Sequence, residues 1–209
     1  MTVRSAQPTP GRPRPKGRPV SQLLVEHAAR LFAERGYSAT TVNDVVAAAN
    51  LTKGAFYYHF KAKDDLLFEI YHVVISAELD SMLRVLQLSL PPLASLRALI
   101  ADVCEVTARF QENVVVYTRE MHLLSPEKSR ALRESRRRYH NGFRELVARA
   151  KAEGSLSPEV DTELATIGFF GLLHQYYFWY RSSGRPFDDE EFVREATAWF
   201  FRSLGAASS

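Results

Sequence analysis

The chain has 209 residues, 46% of them hydrophobic and 24% charged, with a formal net charge of +3. That supports one or two packed domains, and the single cysteine, Cys104, excludes an intrachain disulfide framework. No apolar amino-terminal stretch marks a signal peptide and no run suits a bilayer span, so a cytoplasmic protein with no membrane partner is expected. Residues 1–65 carry ten Lys or Arg against five Asp or Glu, and residues 66–209 seventeen against nineteen. The basic excess gathers at the amino end, where it suits a phosphate-bearing partner.

Residues 1–19 are rich in Pro and Arg and free of acidic side chains, which predicts a disordered arm. Two Gly-Arg-Pro triplets within it, bearing Arg12, Arg14, Lys16 and Arg18, resemble an AT-hook core suited to a narrow minor groove. A basic tail that only adds phosphate contacts fits equally well. Next, Leu24, Ala28, Leu31 and Phe32 repeat at helical spacing up to a stop at Gly36.

The segment 41–63 holds two short capped helices. Thr41 and Asp44 form a capping-box pattern, and Val42, Val45, Val46 and Ala49 make the apolar face behind it. Asn50 is placed to end that helix in a left-handed conformation, Leu51 fills the turn and Thr52 caps the next helix. Phe56 and Phe60 point inward at i, i+4, leaving Lys53, Gly54, Ala55, Tyr57, Tyr58 and His59 for the leading end and outer face. Small residues at the start and hydroxyl, imidazole and ammonium groups beyond are what a recognition helix needs in a major groove. A helical hairpin used only for packing is the competing reading.

Further helices are predicted over about 63–90, 93–110, 113–124, 126–153, 159–182 and 188–204. The first has Leu66, Leu67, Ile70, Val73, Val74 and Leu83 on its apolar side and ends before Pro91-Pro92. The fourth carries a stripe at Leu132, Tyr139, Phe143, Leu146 and Ala150 and closes at Gly154. Residues 167–180 are apolar or aromatic nearly all round, and Phe192, Ala196, Trp199 and Phe200 give the last helix its apolar face. About nine helices and no strand series make an all-α protein.

The ordered set Ala29-Arg-Leu-Phe-Ala-Glu-Arg-Gly-Tyr37, Thr40-Thr41-Val42, Thr52-Lys-Gly-Ala-Phe-Tyr-Tyr-His-Phe60 and Lys63-Asp-Asp-Leu-Leu67 resembles the TetR family of bacterial transcriptional regulators. The resemblance covers about residues 20–68. Behind the arm that composition places over 1–19, it implies a three-helix DNA-binding domain over 20–66 and an effector-binding and dimerisation domain over 67–209. It also implies a homodimer built through the last two helices, contacting double-stranded operator DNA through Thr41, Thr52, Lys53, Gly54, Ala55, Tyr57, Tyr58, His59 and Lys63; the arm's own basic pattern adds Arg12, Arg14 and Arg18 as DNA contacts.

No cofactor is expected, but a small hydrophobic effector is. Its pocket candidates are Phe110, Tyr117, His122, Tyr139, His140, Phe143, Tyr176, Tyr177 and Trp179, each also readable as plain core. The segment 177–186 looks like that of family members that respond to acyl-coenzyme A thioesters, whose phosphates Arg130, Arg133, Arg136, Arg137, Arg138 and Arg181 could meet. A solvated basic face is the alternative for that arginine run. A drug-sensing efflux regulator would need buried carboxylates, for which Glu105, Glu112 and Glu120 are the near candidates. No phosphate loop, metal-spaced cluster or nucleophile motif points to an enzyme. A constitutive architectural DNA binder would leave most of the chain without a role.

Overall fold

The computed structural model describes residues 18–175 and 189–206, and within them every regular element is helical. The α-helices are α1 (Val20–Arg35), α2 (Val42–Ala48), α3 (Lys53–His59), α4 (Lys63–Gln87), α5 (Pro92–Arg109), α6 (Gln111–Glu120), α7 (Pro126–Ala152), α8 (Thr162–Gln175) and α9 (Asp189–Ser203). One 3₁₀ turn, Met121–Leu123, follows α6. The predicted all-α architecture holds, with boundaries shifted by a few residues.

Local chemistry sets the first three helices. Gly36, at φ 88°, ends α1 in a conformation that disfavours side chains with a Cβ. Both halves of the Thr41–Asp44 capping box form at α2: Asp44 N–H donates to Thr41 Oγ1 at 3.2 Å, and Thr41 N–H donates to Asp44 Oδ2 at 2.7 Å. Asn50 takes the left-handed φ of 53°, and Thr52 Oγ1 accepts from Ala55 N–H at 3.2 Å to start α3. The three helices and the first half of α4 share a core of Leu24, Ala28, Leu31, Phe32, Val45, Phe56, Leu66, Leu67 and Ile70. Val116 of α6 and Leu132 of α7 extend this core into the rest of the chain.

The second core lies among α4, α5, α7, α8 and α9, with Leu96, Leu99, Tyr139, Phe143, Leu146, Phe169 and Phe200 at its centre. The aromatic rings interlock: Phe143 stacks on Phe169 at 4.9 Å, and Phe200 meets Phe169 at 5.2 Å. Gly142 lets α7 come close to α4, since a Cβ there would lie 2.8 Å from Met82 Cε.

One expectation for an apolar face is corrected. Leu83 is 56% exposed, because the buried stripe of α4 continues through Met82 and Val85, which turns position 83 outward. Trp199 is 55% exposed, while its neighbours Phe200 and Phe201 are buried. The helix expected over 113–124 starts earlier and ends at Glu120, passing into the 3₁₀ turn.

Candidate DNA-binding face and effector cavity

At the amino-terminal end, buried Phe56 fixes α3 against α1 and α2, so the other sides of α3 face solvent. Thr52, Lys53 and Gly54 are exposed at its leading end, followed by Tyr57 (58% exposed), Tyr58 (85% exposed) and His59. Ala55 is half-buried. Tyr57 leans edge-on against Phe56 at 5.1 Å, and Tyr58 against His59 at 4.9 Å. Large aromatics left in water on one short helix have no packing reason to be there, whereas a groove-reading helix uses them. Thr41 is exposed at the head of α2, where its hydrogen bonds hold the Asp44 carboxyl below its ordinary range.

Lys63 has a further role that sequence reading missed. Its ammonium donates to the carbonyls of Tyr37 at 2.7 Å and Thr40 at 2.8 Å and lies 4.0 Å from the centre of the Tyr37 ring. It ties the start of α4 to the α1–α2 loop, and partial burial lowers its pKa. Arg18 is paired with Glu26 at 2.7 Å, while Arg12 and Arg14 lie outside the described residues.

A cavity lies deeper, among five helices. Its walls are Tyr71, Val74, Ile75 and Glu78 of α4, Val103 and Thr107 of α5, Val114 and Tyr117 of α6, Arg136 and His140 of α7, and Phe170 of α8. About 40 Å³ is open to the centre of a water-sized sphere. Arg136 donates through Nη1 to the Tyr117 hydroxyl and through Nε to His140 Nε2 at 3.4 Å. The latter bond makes Nδ1 the protonated nitrogen of a neutral His140. The imidazole stacks on Phe170 at 4.2 Å. Burial, aided by Arg136, pushes His140 down to about 4, and burial pushes Glu78 up to about 7.

Of the ligand residues expected from sequence, Tyr117 and His140 are brought together in this cavity. Phe110 sits at the α5–α6 break in a groove shared with α1 and α4, because the chain turns there at φ −112°, ψ 41°. His122 is exposed on the 3₁₀ turn. Tyr139 and Phe143 face the packed core, one position before and three positions after His140 on α7. Tyr176, Tyr177, Trp179 and Arg181 lie outside the described residues. Arg136 leaves the exposed run of Arg137 and Arg138 and turns inward. Glu105 and Glu112 are exposed, so neither supplies a buried carboxylate. Glu78 does, and a signal was present: a charged residue interrupts the buried series Val74, Ile75, Met82 on α4. Cys104 is core, its thiol pushed up to about 12 by burial, which leaves little thiolate for redox chemistry.

Short links join cavity to DNA-binding end. Tyr71 Oη donates to Val116 O at 3.0 Å and Asn113 Nδ2 to Ile70 O at 2.9 Å, pinning α6 to α4. From the end of α6, Arg119 Nη1 donates to Ala33 O at 3.3 Å, and Glu120 Oε1 accepts from Tyr37 N–H at 3.3 Å. Lys128 at the start of α7 bridges Asp64 at 2.7 Å and Asp65 at 2.5 Å.

An exposed two-helix reading head joined to a helical bundle with a cavity defines a helix-turn-helix regulator. Residues 24–70 match the family model described as bacterial regulatory proteins, tetR family, and residues 89–204 match the tetracyclin repressor-like C-terminal domain. The chain belongs to the TetR family of bacterial transcriptional regulators. It is 29% identical over 162 residues to the HTH-type transcriptional repressor KstR2 of Rhodococcus jostii, covering 77% of this chain and 79% of that one. Its fold superposes on the ketosteroid transcriptional regulator KstR2 of Mycobacterium tuberculosis with a TM-score of 0.81 at 22% identity, over 92% and 98% of the two chains. AibR, solved in complex with isovaleryl coenzyme A and operator DNA, matches with a TM-score of 0.76 at 26% identity, over 88% and 98%.

Proposed function

We propose that the protein is a cytoplasmic transcriptional repressor that binds a near-palindromic operator as a homodimer and is released by a small hydrophobic effector, an acyl-coenzyme A thioester. The observation that carries this reading is the placement of α6. Tyr117 forms part of the cavity wall, and three residues on, Glu120 holds the backbone of Tyr37 in the DNA-binding unit. A ligand that moves Tyr117 therefore acts on the body that carries α3. The operator-contacting groups are Thr41, Thr52, Lys53, Gly54, Ala55, Tyr57, Tyr58 and His59, with Lys63 positioning the loop between α1 and α2. The arm over 1–19 adds charge on DNA beside the domain over 20–66.

Dimerisation through α8 and α9 is supported by their open face. Leu164, Ile167 (57% exposed) and Trp199 are exposed there, and a Cβ added to Gly168 or Gly171 would meet nothing within 4 Å. Such a patch suits a second copy. The thioester assignment draws on AibR, whose complex holds isovaleryl coenzyme A and operator DNA. A cation-sensing efflux regulator is disfavoured, because Arg136 shares the cavity with Glu78 and its charge opposes a cationic ligand.

The test is to recover genomic fragments retained by the full-length protein, then titrate acyl-coenzyme A esters of two to sixteen carbons against the complex. Sequence-specific retention and release by a subset of chain lengths is expected. Retention of arbitrary DNA with equal affinity would overturn the reading, and so would a specific complex that no thioester dissociates, as far as effector class is concerned.

A further inference from the structure

The cavity holds two opposite charges that do not touch. Among the described residues Glu78 makes no hydrogen bond and no ion pair within 4.0 Å, and Arg136 gives its hydrogen bonds to two uncharged acceptors, Tyr117 and His140. A guanidinium has five N–H donors, so several remain to serve the cavity. The two groups act on each other across the cavity without contact, and the arrangement leaves room for a group that would meet both residues.

We propose that the part of the effector enclosed by this cavity ends in a carboxylate, which pairs with Arg136 while Glu78 takes up a proton. This rests on the reading of the cavity as the effector site and names the chemistry of its anchor. A planar carboxylate matches the guanidinium fork, as an alcohol or a ketone does not. Two carboxyl groups in one low-dielectric space cannot both stay ionised at contact, so the incoming acid keeps its charge against Arg136 and Glu78 becomes the O–H donor. The narrow volume, about 40 Å³, suits a group of a few heavy atoms. Val74, Ile75, Val103 and Val114 supply the apolar wall for the carbons next to the acid.

The described charged and titratable groups around the site are Tyr71 on α4, Asp102 and Cys104 on α5, Tyr117 and Glu120 on α6, Arg136, Tyr139 and His140 on α7, and Glu163 on α8. Asp102 is hydrogen-bonded to Ser81 and Glu120 to Tyr37. Burial raises the Tyr71 and Tyr139 hydroxyls and the Cys104 thiol, and His140 stays neutral. Glu78 is the group whose proton responds near neutrality. The acid can be a free carboxylic acid or the far end of an acyl thioester.

Calorimetry and thermal shift on the full-length protein test this at pH 6 and pH 8, with hexanoate, hexan-1-ol, hexylamine, hexanoyl-coenzyme A and adipoyl-coenzyme A. Hexanoate or adipoyl-coenzyme A should bind in preference to its uncharged counterpart, roughly tenfold tighter at pH 6 than at pH 8, with a proton taken up at pH 8. Preference for hexanoate identifies a free acid, and preference for adipoyl-coenzyme A a thioester bearing a second acid group. Glu78→Gln should retain binding and lose the pH dependence, and Arg136→Met should lose binding. Equal binding of hexan-1-ol and hexanoate together with equal binding of the two thioesters overturns the proposal, as does an unchanged pH ratio in Glu78→Gln. If the acids bind as described but do not release operator DNA, the acid site stands and the repressor switch fails.

Discussion

The carboxylate of Glu120 accepts a hydrogen bond from the backbone N–H of Tyr37 at 3.3 Å, joining residues 83 positions apart. Tyr37 is also where Lys63 lies against the ring and bonds the carbonyl. One residue of the DNA-binding unit is therefore held by α6 on one side and by α4 on the other. Glu120→Ala should cost about 1 kcal/mol of stability, as loss of a half-buried hydrogen bond does. It should also weaken the effect of the releasing ligand on operator affinity by about 0.5–2 kcal/mol. Operator Kd with and without ligand measures this; an unchanged ratio would remove Glu120 from the coupling.

On the reading head, Lys53→Ala and Tyr57→Ala should each weaken operator binding by about 1–3 kcal/mol, and Lys53→Ala should lower the salt slope by about one unit. Both side chains stand in solvent, so Tm should hardly move. Specific binding at full strength in both variants would refute their assignment.

The reading head could be read from sequence because its determinants are local. Thr41 needs only Asp44, Thr52 only Ala55, and Asn50 only its own backbone to define two helices and a turn. The cavity has no such signature, since its eleven wall residues come from five helices and only packing decides which faces converge. Phe143 and His140 are three positions apart on one helix, yet one is core and the other lines the site. Leu83 misled for a different reason: nine positions after Val74, it lies about half a turn off the buried stripe, which continues through Met82 and Val85.

Stability against pH should expose two opposing groups. Glu78 is raised from 4.5 to about 7, so the folded state binds the extra proton and stability falls as pH rises between those values. His140 is lowered from 6.5 to about 4, so the unfolded state binds the extra proton and stability rises with pH across that window. The contributions nearly cancel between pH 4.5 and 6.5. Glu78→Gln should leave a curve that climbs from pH 4 to 6.5, and His140→Gln one that declines from pH 4.5 to 7, in Tm recorded against pH. Parallel curves for the two variants would contradict these environments.

Ile167→Asp on α8 places a charge on the open apolar face without touching either core. Sedimentation should show a shift from dimer to monomer, and operator affinity should collapse with it, because each half-site contact alone is weak. A dimer that survives both Ile167→Asp and Trp199→Glu would place the interface elsewhere.

Gly142 has a mechanical consequence. With Met82 seated against it, α4 and α7 pack closely about one turn from Glu78 of the cavity wall. On the proposed reading, a ligand that needs more room leaves that contact closed and tilts α4 about it, working against the Lys128 pairs to Asp64 and Asp65 at the far end. From Met82 to Lys63 the helix is a lever arm of about 28 Å, so a tilt of about 5° displaces its far end by about 2 Å. That end carries the lysine holding the loop between α1 and α2. A change of a few atoms' width at Glu78 thus reaches the DNA-binding unit amplified by helix length.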